Sequence, residues 1–155
     1  MKKLIMSLVL VGAGACHSSP PPGSTTGPSP VASGAQTGAA DAVSAVRAFL
    51  AAAKEPDLQA MSVLFGDDRG PAREGLPRDE LEKRELIMVR CLRHDTYDIA
   101  ADAPAPGGAR ALVVKLSYKD VSRSSNFEVV MGPSNRWYVQ KFDLVALNDI
   151  CAVRG

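Results

Sequence analysis

Cys91 and His94 stand at Cys-x-x-His spacing, and Asp149 and Cys151 lie together near the C-terminus. Thiolate, imidazole and carboxylate side chains in such a pattern can assemble a four-ligand zinc site. Structural zinc sites more often show two paired spacings, and in an exported chain two cysteines oxidise to a disulfide instead. The N-terminus argues for export, as set out below. The reading is therefore a Cys91–Cys151 disulfide and no metal. Closing a loop of about 60 residues removes roughly 4 kcal/mol of unfolded-state entropy on a chain-entropy account.

Acid–base chemistry has thin material. His94 is followed by Asp95, but adjacent residues on a strand point to opposite faces, so the pair cannot orient one another as a dyad. It reads as a polar surface pair at a helix-to-strand junction. An isomerase-like site would need a carboxylate facing a pocket with a donor opposite. Asp98 and Asp102 fall on the face opposite Ile99 if alternation holds, which places both toward solvent. Tyr97, Tyr118 and Trp137 are candidates to line a cavity, although rings of this kind more often complete a core with their polar tips at its rim. Arg84, Arg90 and Arg93 suggest an anion patch, but Glu82 and Glu85 are interleaved with them. The glycine-rich "PAPGGAR" lacks the Lys-Ser/Thr ending of a phosphate loop, and no Gly-x-Ser-x-Gly elbow occurs. No catalytic residue and no cofactor is assigned.

The elements that must position these residues are legible from periodicity. Val43, Val46, Phe49, Leu50 and Ala53 recur at spacings of three and four and make one stripe of a helix, which Pro56 ends. Asp57 can cap a second helix with Leu58, Met61, Leu64 and Phe65 on one side. "GDDRGPAREGLP" breaks the pattern, with no clear strand pair before the next helix. A third helix starts near Pro77-Arg78-Asp79 and carries Leu81, Met88, Val89, Cys91 and Leu92 within one arc, although "LIMVRCL" is also strand-like. Period two then takes over. "TYDIA", "ALVVKLSYKD", "NFEVVM" and "RWYVQKFDLVAL" read as strands, separated by turn residues in "APAPGG" and "GPSN". Two or three helices followed by about four antiparallel strands define an α+β fold, the helices packed on one face of a curled sheet.

Ahead of this domain the chain reads as an address. Met1-Lys2-Lys3, an apolar run and the small residues Gly12 to Ala15 make a secretory signal over residues 1–15, too short to span a bilayer. A small-residue run ending in Cys16 resembles the lipobox of bacterial lipoproteins. That resemblance implies that Cys16 becomes the lipidated first residue of the mature chain, and His17 in place of Asp implies delivery to the outer membrane, facing the periplasm. Several acyl chains anchor stably where one does not. Residues 16–40 are rich in Pro, Ser, Thr and Gly with no Lys, Arg, Asp or Glu, and read as a disordered tether. Residues 41–155 form one domain. Lys2 and Lys3 take two of the 18 basic residues, leaving 16 against 17 acidic ones, so the domain's net charge of −1 gives no reason to expect nucleic acid.

The helix "AVRAFLAAAKEPDLQAM", with its Phe49-Leu50 pair, and the late strand with Trp137 and Val139 resemble small bacterial envelope lipoproteins of the nuclear-transport-factor-2-like or cystatin-like superfamily. The resemblance covers most of residues 41–147 and rests on core positions. It implies a scaffold that hosts isomerases, dehydratases, ligand binders and protein-interaction modules alike, so fold alone does not settle function. The expectation is a non-enzymatic, membrane-anchored module for an envelope protein or a small apolar ligand. The alternatives are a small-molecule enzyme on the same scaffold and a structural subunit of an envelope complex. A buried carboxylate in an open apolar pocket would favour the enzyme; a filled core with an exposed apolar patch would favour a protein partner.

Overall fold

A computed structural model describes residues 37–154. The signal segment, Cys16 and the tether up to residue 36 lie outside the described residues. Helix α1 (Ala42–Lys54) buries Val46, Phe49, Leu50 and Ala53, the stripe read from the sequence. Its N-cap is Asp41, whose carboxylate accepts the Ser44 amide at 2.8 Å and the Ser44 hydroxyl at 2.7 Å. Those two hydrogen bonds hold the Asp41 carboxyl below its ordinary range. Helix α2 (Leu58–Leu64) is capped as expected, Asp57 Oδ1 accepting the Ala60 amide at 2.9 Å, and it buries Met61, Ser62 and Leu64.

Between α2 and the next long helix the chain is more structured than the sequence suggested. Strands β1 (Gly66–Asp67) and β2 (Gly70–Pro71) pair antiparallel, and one helical turn, α3 (Ala72–Gly75), follows. The strands are too short for alternation to show. Helix α4 (Arg78–Cys91) resolves the ambiguity of "LIMVRCL" in favour of helix and buries Leu81, Glu85, Met88 and Cys91.

Strands β3 (Thr96–Pro104), β4 (Arg110–Tyr118), β5 (Val121–Met131) and β6 (Trp137–Phe142) form an antiparallel meander in that order. The molecule is thus α+β, with the helices N-terminal to a four-stranded sheet. Leu112, Val114 and Leu116 of β4, with Phe127 and Val129 of β5, face the helices and are wholly buried. Between the layers Phe49 stacks on Phe65 at 6.2 Å and meets Phe142 at 6.3 Å, while Phe127 and Phe142 stack at 5.0 Å. Register shifts at Ile99/Ala101 and Glu128/Val129 bend the sheet around this core.

Two expectations need correcting at the ends. The domain starts at least four residues before the expected boundary at 41. Ala39 exchanges backbone hydrogen bonds with Trp137 at 2.9 Å, Gly38 donates to the Val63 carbonyl, and Arg136 holds the carbonyls of Thr37 and Gly38. Gly38 has φ +66°, and a Cβ there would come within 2.9 Å of the Trp137 carbonyl, so glycine is required. Strand β6 ends at Phe142 instead of running to Leu147, because Asp143 turns the chain by accepting the Ala146 amide at 3.1 Å. A short helix, α5 (Asn148–Ala152), then buries Ile150 against the core. Met131, at the end of β5, pairs with Trp137 of β6 but lies beyond the β4 pairing and is 45% exposed.

Candidate functional site

The residues that could have made a metal centre are otherwise engaged. Cys91, at the end of α4, and Cys151, in α5, stand at disulfide distance, Sγ to Sγ 2.12 Å. Asp149 forms an ion pair with Arg123, whose Nε donates at 2.7 Å. His94 Nδ1 donates to the Leu92 carbonyl at 2.7 Å. Among the described residues no three ligand-type side chains converge.

His94 is not the surface residue expected. It is buried, with its ring against the edge of Tyr97 at 5.4 Å, and Asp95 turns away to accept the Lys119 amide at 2.7 Å. The two residues do different local work: His94 fills space behind the α4–β3 junction, and Asp95 braces the β4–β5 turn. Tyr97, Tyr118 and Trp137 do not share a cavity. Tyr118 pairs with Val121 at one end of the β4–β5 ladder, whereas Trp137 pairs with Met131 toward the other. Tyr97 is exposed, Tyr118 and Trp137 pack against the core, and the clefts on the helical side are lined by other residues.

The bulge in β3 explains one further difference. Asp98 pairs with Lys115 on the outer face, as alternation requires. After the register shift Asp102 pairs with Leu112, so it moves to the face from which it was excluded and binds Arg110 at 2.7 Å. A bulge reverses parity for every residue beyond it. The three arginines do not form an anion patch either. Arg90 donates to the Cys151 carbonyl, Arg93 to the Val153 carbonyl, and Arg84 pairs with Glu80.

What the structure does assemble lies on the helical side. Two clefts flank the α3 turn and share Leu76. The larger, about 620 Å³, runs past Phe65, Asp67, Arg69, Glu74, Arg84 and Gln140. Its charges are matched locally: Arg69 Nη2 reaches Asp67 at 2.6 Å and, with its backbone amide, holds that carboxyl below its usual range. The second cleft, about 500 Å³, lies between α2 and α4 and is lined by residues that include Gln59, Ser62, Arg73, Arg78, Glu82 and Glu85.

Glu85 is the unusual residue of the molecule. It is only 3% exposed, and its Oε1 atom has no hydrogen-bond partner. Burial, reinforced by the nearby Glu82 carboxylate, pushes its pKa from an ordinary 4.5 up to about 7. An unpartnered polar group in this setting costs roughly 1–3 kcal/mol. The sequence reading passed over Glu85 as one of the charges interleaved with the arginines. The signal was present: Glu85 follows Leu81 by four residues and precedes Met88 by three, which is the buried face of α4. A glutamate on the apolar stripe of a helix marks a function or a strained core, and here it lines a cleft.

The chain matches no family model, no curated protein and no solved structure. The site therefore has to be read from its own geometry.

Proposed function

We propose that this chain is an envelope lipoprotein, anchored through Cys16, whose domain is a non-enzymatic binding module that takes a small molecule in the α2–α4 cleft. The domain is of the nuclear-transport-factor-2-like or cystatin-like class. The observation that carries the ligand-binding half is Glu85, a buried carboxyl without a partner, lining a cleft of about 500 Å³. Pockets of this size suit small ligands, and a few placed polar groups on a largely preformed surface are their usual means of selection. The layer between α1 and the sheet is filled by Phe49, Leu116 and Phe127, each fully buried, which directs attention to the helical side. The anchor rests on the lipobox-like run before Cys16 and the uncharged tether after it. No helix among the described residues is long and apolar enough to cross a membrane.

A small-molecule enzyme is the second reading, and the same residue favours it. A carboxyl with its pKa near 7 is poised for general acid–base work. Its weakness is the company: the cleft residues include no tyrosine, histidine or second buried carboxyl to share a proton transfer. Binding accounts for the lining with fewer assumptions.

Two measurements test the proposal. Cys16→Ser should move the protein from the membrane pellet to the soluble fraction of its host, and unchanged retention in the pellet would remove the anchor. For the cleft, the mature lipoprotein in detergent is equilibrated with a small-molecule extract of the host, washed, denatured and its eluate weighed by mass spectrometry. A compound should be retained by the wild type and lost from Gln59→Trp, in which an exposed α2 residue fills the cleft mouth. Equal retention by both proteins, or none by either, rejects the cleft as the binding site.

A further inference from the structure

We propose that the α2–α4 cleft takes a small zwitterion, an amino acid or a compound like one, with its ammonium group on Glu85 and its carboxylate on Arg73 and Arg78. The inference deepens the binding-module reading and rests on it.

The charges at the cleft are unmatched. Among the described residues six ion pairs form, none of them at this cleft, among them Asp67 with Arg69, Glu80 with Arg84 and Asp102 with Arg110, and many other exposed charges stand unpaired in water. Around this cleft stand four charge-bearing side chains, Arg73, Arg78, Glu82 and Glu85, and among the described residues none makes an ion pair with another. Three of them are exposed and hydrated, but Glu85 is buried and lacks even a neutral donor. The one hydroxyl among the cleft residues is already engaged, because the Ser62 hydroxyl donates to the Gln59 carbonyl at 2.7 Å. A donor for Oε1 can arrive from the cleft that Glu85 lines.

An ammonium group meets that need with three donors and a charge-assisted bond. A neutral hydroxyl would also donate, but it would leave the paired arginines without a role. Guanidinium forks recognise a carboxylate, and both arginines lie on the exposed margin, one on α3 and one at the start of α4. Leu58, Leu76 and Leu81 supply apolar wall for a short carbon chain between the two ends. The ligand so described differs from the small apolar ligand expected from the sequence, and Tyr97, Tyr118 and Trp137 do not line this cleft.

Proton linkage gives an independent readout. The charged groups that line the cleft with Glu85 are Arg73 from α3 and Arg78 and Glu82 from α4, while α2 contributes only Leu58, Gln59 and Ser62. With its carboxyl pushed up to about 7, Glu85 is largely protonated at pH 6.5, and an arriving ammonium must expel that proton. Binding at this pH therefore releases a proton, detected as a calorimetric heat that varies with the ionisation enthalpy of the buffer.

The experiment is titration calorimetry on the mature lipoprotein in detergent with 5-aminopentanoate, pentylamine and pentanoate. The zwitterion should bind at least tenfold more tightly than either half-ligand, with proton release at pH 6.5. Glu85→Gln, which keeps the size of the side chain, should weaken it tenfold or more and abolish the proton release. Arg73→Gln with Arg78→Gln, both at exposed positions, should reduce the zwitterion to the affinity of pentylamine. Equal affinity for the zwitterion and pentylamine, or an unchanged affinity in Glu85→Gln, overturns the assignment. Should no probe bind while the cleft still retains a compound from the host extract, the ligand class is wrong and the binding module stands. With neither binding, both fall.

Discussion

Glu85 concentrates what a single residue can say about this molecule. Helix α4 could have placed a leucine between Leu81 and Met88 and gained the transfer free energy of burying it, of order 1.5–3 kcal/mol. A carboxyl there forgoes that gain and carries a desolvation cost besides. The cost has a sign that pH reveals. Because the folded-state pKa is raised, from 4.5 to about 7, the folded form holds its proton after the unfolded chain has lost one. Stability from this group is fully present below about pH 4.5 and is lost as pH rises to about 7, with a ceiling of about 3 kcal/mol that water in the cleft reduces. Asp41 and Asp67 have lowered pKa values and act in the opposite sense, but only at pH values below their ordinary 3.8. Thermal melts of the wild type between pH 5 and 8 should therefore show a melting temperature that falls with pH, and Glu85→Gln should flatten the slope. A slope that survives the substitution would place its origin elsewhere.

Among the elements, helix α2 forms the wall of the site opposite α4, since Leu58, Gln59 and Ser62 all line the cleft. Seven residues are too few to hold a helix in isolation. The Asp57 cap and the burial of Met61 and Leu64 therefore share the task. Asp57→Ala should cost about 1 kcal/mol, which lowers the melting temperature by about 4 °C for a domain of this size. Hydrogen exchange should speed up first at the Ala60 amide and its neighbours; exchange that speeds up uniformly instead would show that α2 has no separate stability. This helix also illustrates what sequence can yield. Its cap, its apolar side and the stripe of α1 were all legible because burial repeats at the helical period over several turns. Strands β4 and β5 were legible for the same reason at period two. What escaped was set by single positions that periodicity averages away. One bulge at Ile99/Ala101 reversed the facing of Asp102, one carboxylate at Asp143 ended β6, and β1 and β2 are too short to alternate. The site escaped for a related reason, because Glu85 is read as surface charge until the buried face of α4 is drawn through it.

For the whole molecule, three cysteines bear on one question of address. Under the reading proposed here Cys16 carries lipid and the other two are bonded, so export and oxidation belong to the same protein. The C-terminal segment depends on that pairing. Residues 148–152 make a helix of little more than one turn, which holds Ile150 in the core and Cys151 against the end of α4. Polar ties supplement the bond: Arg90 to the Cys151 carbonyl at 2.8 Å, Lys119 to the Arg154 carbonyl at 2.9 Å, and the Arg123–Asp149 ion pair. These ties are exposed and individually worth little, commonly under about 1 kcal/mol each. A cross-link over 60 residues is worth up to roughly 4 kcal/mol, so it should dominate how firmly this end is held. Intact-mass analysis with alkylation should find Cys91 and Cys151 protected in protein taken from the envelope and released together by reductant. The same chain without residues 1–16, made in the cytoplasm, should alkylate at both. Its C-terminal amides, from Ile150 onward, should then exchange faster than those of the exported form while β4 and β5 remain protected. Two freely alkylated thiols in the exported protein would remove the disulfide and leave the ion pair and carbonyl ties to hold the helix alone. Equal exchange in both forms would show that they suffice.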